Sequence, residues 1–182
     1  MRFIKTAIPD VILIEPRVFE DERGYFMETF RQDLFEKEVG KINFIQENES
    51  KSKKGVLRGL HYQLPPFAQS KLVRVIKGKV LDVAVDIRKS SKTFGRYVAV
   101  ELSEQNKRQL FIPRGFAHGF LVLEDDTVFS YKVDNYYAPE YERSIKFDDP
   151  LIGIKWKFNK NELILSIKDL NALGFHEAEL FD

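Results

Sequence analysis

Alternation of apolar and polar residues dominates the middle of the chain. In Val80–Ile87, the side chains of Leu81, Val83, Val85 and Ile87 share one face, and Val80, Asp82, Ala84 and Asp86 take the other. That period of two is the signature of an extended strand. Leu72–Ile76 carries the same signature, and the intervening Lys77-Gly78-Lys79 predicts a hairpin turn between the two runs. Further strands are predicted at Tyr97–Leu102, Gln109–Ile112, Gly119–Leu123 and Thr127–Val133. Asp33–Val39, closed by Gly40, predicts a short helix, and the stretch from Asn159 onward a short helix or two. Many short strands at close spacing predict a mainly β chain folded as an antiparallel sandwich or barrel, whose interior is a natural ligand pocket.

Composition narrows the picture. With 182 residues, 43% of them hydrophobic and 13% aromatic, the chain can bury a sizeable core, which excludes a disordered tail or a coiled coil. No Pro/Gly/Ser-rich linker or internal repeat divides it, so residues 1–182 are expected to form one unit. Lys plus Arg number 29 against 28 Asp plus Glu, a balance that argues against a general nucleic-acid binder. The absence of cysteine excludes disulfides and thiolate chemistry. The apolar run Val11–Ile14 stops at Glu15, too short for a signal sequence, and no segment is long enough to span a membrane. A soluble cytoplasmic protein is the expectation.

The chemistry-bearing residues are few. Three histidines exist: His61, His118 and His176. His118 closes a Pro-x-Gly-x-x-His pattern (Pro113 to His118) of the kind found in cupin barrels, where the glycine permits a turn and the histidine enters a strand facing inward. Cupin metal sites use a His-x-His pair, but here His61 is followed by Tyr62-Gln63, leaving two histidines without an evident third ligand. The residues therefore support no metal. On its own, His118 reads first as a hydrogen-bonded core histidine. Arg58 and Lys71 flank His61 in sequence, and Arg23 and Arg114 lie in turn-like segments, all suited to phosphate oxygens. Lys51-Ser52-Lys53-Lys54 reads as a solvated loop. Tyr131 shares a face with Phe129 and Val133, where a phenol can act as a proton donor or simply pack. From spacing alone, Asp169 reads as a surface carboxylate.

The motifs in order resemble the dTDP-4-dehydrorhamnose 3,5-epimerase family, from about Phe3 to Asp169. They are Phe19–Phe30 (FEDERGYFMETF), Gln46–Ser50, Gly55–Gln63 (GVLRGLHYQ), Lys71-Leu72-Val73, Val85–Arg88, Pro113–Phe120, Tyr131-Lys132, Tyr136–Pro139 and Ser166–Asp169. The LRGLHYQ run is the most specific. Departures from the family pattern are small: Lys92 where proline is frequent, Phe147 where tryptophan is common, and Leu173 for a frequent proline.

The resemblance implies a cupin-like jelly roll and inversion of dTDP-4-dehydro-6-deoxy-D-glucose at C3 and C5, without cofactor or metal. It implies His61 as base, Asp169 as its partner, Tyr131 as acid and Lys71 as stabiliser of charge on O4, with His118 against the sugar. Arg23, Glu28, Gln46, Asn48 and Arg58 match the nucleotide-binding set. Phe19, Phe26 and Tyr137 are candidates for contact with the base, and Glu142 and Lys168 for further ligand contacts. The family also implies a homodimer with exchanged N-terminal strands, so that residues between Phe19 and Glu28 can serve the neighbouring site. Other readings are a mono-epimerase, a ketoisomerase, a non-catalytic nucleotide-sugar-binding cupin and a metal-dependent cupin. The last is disfavoured by the missing His-x-His.

Overall fold

The computed structural model describes all 182 residues. Two antiparallel sheets face each other. The first contains β1 (Arg2–Lys5), β2 (Ile12–Glu15), β5 (Gln46–Ser52), β7 (Lys71–Lys77), β10 (Gln109–Ile112) and β12 (Thr127–Val133), in the order β1-β2-β10-β7-β12-β5. The second contains β6 (Leu57–Gln63), β8 (Lys79–Asp86), β9 (Tyr97–Ser103), β11 (Phe116–Val122) and β13 (Glu142–Ser144), in the order β13-β6-β11-β8-β9. A separate two-stranded ribbon pairs β3 (Val18–Asp21) with β4 (Gly24–Met27). The helices are short: α1 (Gln32–Glu38) and α2 (Ile167–Leu170). None is long and apolar enough to cross a membrane.

The alternation along β8 explains the layering. Val80 and Ala84 point between the sheets and pack with Val73, Val75, Leu110, Phe120 and Phe129. Leu81, Val83 and Val85 point outward, yet they too are buried, under Phe147, Ile152, Ile154 and Phe175 of the C-terminal segment. On the first sheet, Phe35 of α1 covers Ile12, Ile14, Leu72 and Phe111, its ring edge-on to Phe111 at 5.3 Å between centroids. Both sheets are thus covered on their outer faces, and the space between them is free to taper into a cavity at one end.

Gln109–Ile112 and Thr127–Val133 are strands over the predicted residues, and the predicted helix is displaced by a single residue. The strand expected from Gly119 begins earlier, at Phe116. Lys51 and Ser52, expected in a loop, end β5. The hairpin expected at Lys77-Gly78-Lys79 does not form. Instead β7 pairs with β10 and β12, and β8 pairs with β9 and β11, so the chain turns a corner from one sheet into the other. Gly78 has φ +80°, and a Cβ there would lie 2.3 Å from Thr127 Oγ1, so the corner is built tightly against β12. Alternation alone reports strands on either side of a turn but not whether they pair.

Candidate active site

A cavity of about 520 Å³ opens between the sheets, within the range of small-ligand sites. The second sheet contributes Arg58 and His61 from β6 and His118 from β11, and the first contributes Lys71 from β7 and Tyr131 from β12. Lys168 and Asp169 of α2 close the wall beside β6.

Two glycines set the spacing of the histidines. A Cβ on Gly59 would lie 2.5 Å from Gly119 Cα, and one on Gly119 would lie 2.8 Å from the Arg58 carbonyl. This close approach sits where the β6–β11 register shifts, between His118 and Phe120. It leaves His61 and His118 directly opposite each other in the ladder.

Each histidine has its own carboxylate. His61 Nε2 lies 2.5 Å from Asp169 Oδ1, although the two residues are 108 positions apart. Asp169 is 3% exposed, so the expectation of a surface carboxylate from spacing alone is overturned. Its position is fixed by the α2 N-cap: Ser166 Oγ donates to Asp169 Oδ2 at 2.6 Å and accepts from the Asp169 N–H. Burial pushes the Asp169 carboxyl up, but hydrogen bonds from His61 and Ser166 outweigh it and hold the group below its ordinary value. An imidazole that donates Nε2–H to this carboxylate presents Nδ1 as its basic nitrogen.

His118 is buried with Asp82, its Nε2 lying 2.9 Å from Oδ2 and 3.0 Å from Oδ1. Burial pulls His118 below its ordinary pKa, with Asp82 opposing. Asp82 is the residue that sequence reasoning missed. The signal was its place on the inward face of β8 between Val80 and Ala84, where a carboxylate requires a partner.

Two of the cavity's cations, Lys71 and Arg58, lack such partners. Lys71 forms no ion pair, and burial lowers its pKa to about 8, with Asp82 and Glu142 pulling partly the other way. Its ammonium lies 5.8 Å from the centre of the Tyr131 ring. Burial raises the Tyr131 hydroxyl, with Asn48, directly opposite in the β5–β12 ladder, pulling partly against it. Arg58 also has no carboxylate partner; its Nε and Nη2 rest on Ser52 Oγ at 3.3 and 3.2 Å.

The remaining predicted residues divide into two groups. Beside the cavity, next to its lining residues Tyr131 and Lys168, Gln46 Nε2 donates to Asn48 Oδ1 at 3.0 Å, Tyr137 OH donates to Glu142 Oε2 at 2.7 Å, and Lys168 pairs with the same carboxylate. Phe19, Arg23 and Phe26 are not brought to this cavity: they line a separate hollow on the β3–β4 ribbon, and Glu28 follows it in exposed chain. Arg23 bends back onto Asp21, and Phe26 is 71% exposed. The ribbon forms its own small sheet and pairs with neither large one, and none of these side chains lines the cavity around His61. No cluster of three or more His, Asp or Glu side chains forms a set of metal ligands.

Comparison with known proteins decides the family. The model of the dTDP-4-dehydrorhamnose 3,5-epimerase family matches residues 5–177. The chain belongs to this family. It is an isomerase fold and an isomerase sequence throughout: the chain is 58% identical to the dTDP-4-dehydrorhamnose 3,5-epimerase of Shigella flexneri over 182 residues, covering 100% of this chain and 99% of the relative. The crystal structure of the epimerase from Elizabethkingia anophelis superposes with a TM-score of 0.94 at 52% identity, covering 97% of each chain. The epimerase of Legionella pneumophila, solved in complex with dTDP-4-keto-L-rhamnose, superposes with a TM-score of 0.93 at 48% identity, covering 96% of this chain and 93% of that one. The cupin-like jelly roll expected from the motifs is therefore the fold of the family's solved members.

Proposed function

We propose that this epimerase inverts C3 and C5 of dTDP-4-dehydro-6-deoxy-D-glucose by proton removal and return beside the C4 ketone, giving dTDP-4-dehydro-L-rhamnose. The observation that carries the reading is an imidazole backed by a buried carboxylate on one sheet and a phenol on the other, across a cavity holding an unpaired ammonium. Both carbons are α to the ketone, so loss of either proton sends an electron pair to O4 as an enolate. His61 Nδ1 takes the proton, and Asp169 stabilises the imidazolium that results. The Lys71 ammonium lies in the cavity wall, where a fixed charge stabilises a developing oxyanion. Tyr131 returns a proton to the opposite face, leaving a phenolate near Lys71. Exchange with solvent resets both groups before the second carbon reacts.

Arg58, free of acidic partners, suits the diphosphate, and Gln46, Asn48, Glu142, Lys168 and Tyr137 flank the cavity where the nucleoside would lie. His118, which lines the cavity beside His61, suits a sugar hydroxyl. The exposed aromatic rings of Phe19, Tyr25 and Phe26 on the ribbon favour a homodimer in which Phe19, Arg23, Phe26 and Glu28 complete the partner's site.

The assignment of the base is tested by His61→Ala. Turnover is expected to fall by at least about a thousandfold, in keeping with loss of a general base and its oriented partner, while dTDP affinity is retained. Retention of most activity by this variant would contradict the assignment.

A further inference from the structure

Gln63 lies two residues beyond His61 on β6, and the proton-transfer chemistry makes no use of it. It is 4% exposed, and its amide is fully engaged. Nε2 donates to the backbone carbonyls of Phe67 at 2.7 Å and Tyr136 at 3.1 Å, and Oε1 accepts the Ala138 N–H at 2.8 Å. Two of these three bonds grip the backbone on either side of Tyr137.

That segment depends on side chains for its shape. Between β12 and the 3-10 turn at Pro139–Tyr141 the chain has no helix or strand. The Tyr137 N–H donates to Gln46 Oε1 at 3.2 Å, the Asn135 carbonyl accepts from Gln69 Nε2 at 2.8 Å, and the Ser70 N–H donates to Asp134 Oδ1 at 2.6 Å. Glutamine and aspartate side chains thus do the work that a ladder does elsewhere. Gln63 is the one whose grip brackets Tyr137 and whose amide is buried. Tyr137 is 54% exposed, and its hydroxyl is tied to Glu142 beside the cavity. A ring fixed at both ends and open on its face is prepared to receive a planar group such as a nucleobase.

We infer that Gln63 is a positioning residue for the nucleotide end of the site: it holds the Tyr136–Ala138 backbone so that the Tyr137 ring is presented ready-made to the base. This rests on the reading of Tyr137 as a base contact. A glutamine beside the catalytic histidine would thereby govern KM, whereas His61 governs kcat. It also explains why glutamine suits this place. The backbone offers two acceptors and one donor, a set that a carboxylate or a methylene chain cannot satisfy.

The test uses the full chain with Gln63→Met, Gln63→Glu, Tyr137→Ala and the Gln63→Met/Tyr137→Ala double variant, measured by dTDP titration and by steady-state kinetics. Gln63→Met is expected to weaken dTDP binding and raise KM by about tenfold, the usual scale for losing a buried hydrogen-bonding group, with kcat within about twofold. In the Tyr137→Ala background the same substitution is expected to change dTDP affinity by less than about twofold, because its effect runs through the ring. If Gln63→Met does not fold, Gln63→Glu provides the same comparison with the Oε1 acceptor kept. A fall in kcat at unchanged KM, unaltered dTDP affinity, or additive losses in the double variant would each overturn the inference. Should Tyr137→Ala itself leave dTDP affinity unchanged, the reading of Tyr137 fails first, and the inference with it. If Tyr137→Ala weakens binding but Gln63→Met does not, only the role of Gln63 is lost.

Discussion

Lys71 is the side chain whose environment most directly predicts a pH response. Burial lowers its pKa to about 8, against the pull of Asp82 and Glu142. In the proposed mechanism the ammonium is the form that stabilises charge on O4; it is present below about pH 8 and lost as the pH rises through that value. The profile of kcat/KM is therefore expected to fall on its alkaline side near pH 8. Lys71→Arg keeps the charge at every accessible pH and should move that limb upward, whatever it costs in geometry. An alkaline limb that stays in place in Lys71→Arg would assign it to another group. His61 was legible through the specific LRGLHYQ run, whereas Lys71 and Tyr131 were legible only through the order of the whole motif set. Asp82 was not legible, because its meaning depends on His118 lying 36 positions away and on the register that sets Phe120 opposite Asp82. Asp169 was legible only through its motif, since a 108-residue separation from His61 leaves no periodic trace.

At the scale of elements, the site depends on how closely β6 and β11 approach. Gly59 and Gly119 leave no room for a side chain at the crossing, and the bulge beside them sets the two histidines face to face. Gly119→Ala would place a methyl 2.8 Å from the Arg58 carbonyl, on backbone that cannot simply move aside. Such overpacking is expected to cost about 1–3 kcal/mol of stability, read as a lower urea midpoint, together with a loss of activity as His61 and His118 shift apart. A variant with native stability and native kcat would show that the crossing tolerates more space than its geometry allows. Strand positions were visible in the alternation because β8 and β12 keep a strict period of two. Their assignment to sheets was not, because a glycine turn reads the same at a hairpin and at a corner such as Gly78.

For the whole molecule, a buried ionic anchor away from the cavity ties the end of β8 to the loop that follows it. Asp86 is fully buried; burial pushes its carboxyl up, but bonds from Arg88, Ser91 and Thr93 prevail and hold it at about 2. A folded-state value below the ordinary 3.8 contributes stability that is present above pH 4 and is lost as the pH falls through about 2, on the order of 2 kcal/mol in all. Asp86→Asn is expected to be less stable than the parent at pH 6, with the difference narrowing by about that amount as the pH approaches 2; a constant difference would remove Asp86 from the acid response. The jelly roll was legible in the sequence, but the place of the β3–β4 ribbon was not, because it pairs with neither large sheet and leaves Phe19 and Phe26 exposed. The central claim concerns the reaction itself, and one measurement reaches it directly: NMR of dTDP-4-dehydro-6-deoxy-D-glucose incubated with the purified enzyme and EDTA in D₂O, with the product trapped by a reductase. Deuterium at both C3 and C5 in an L-rhamno product is the predicted result. Deuterium at a single carbon, migration of the ketone, or no exchange while dTDP remains bound would contradict the account.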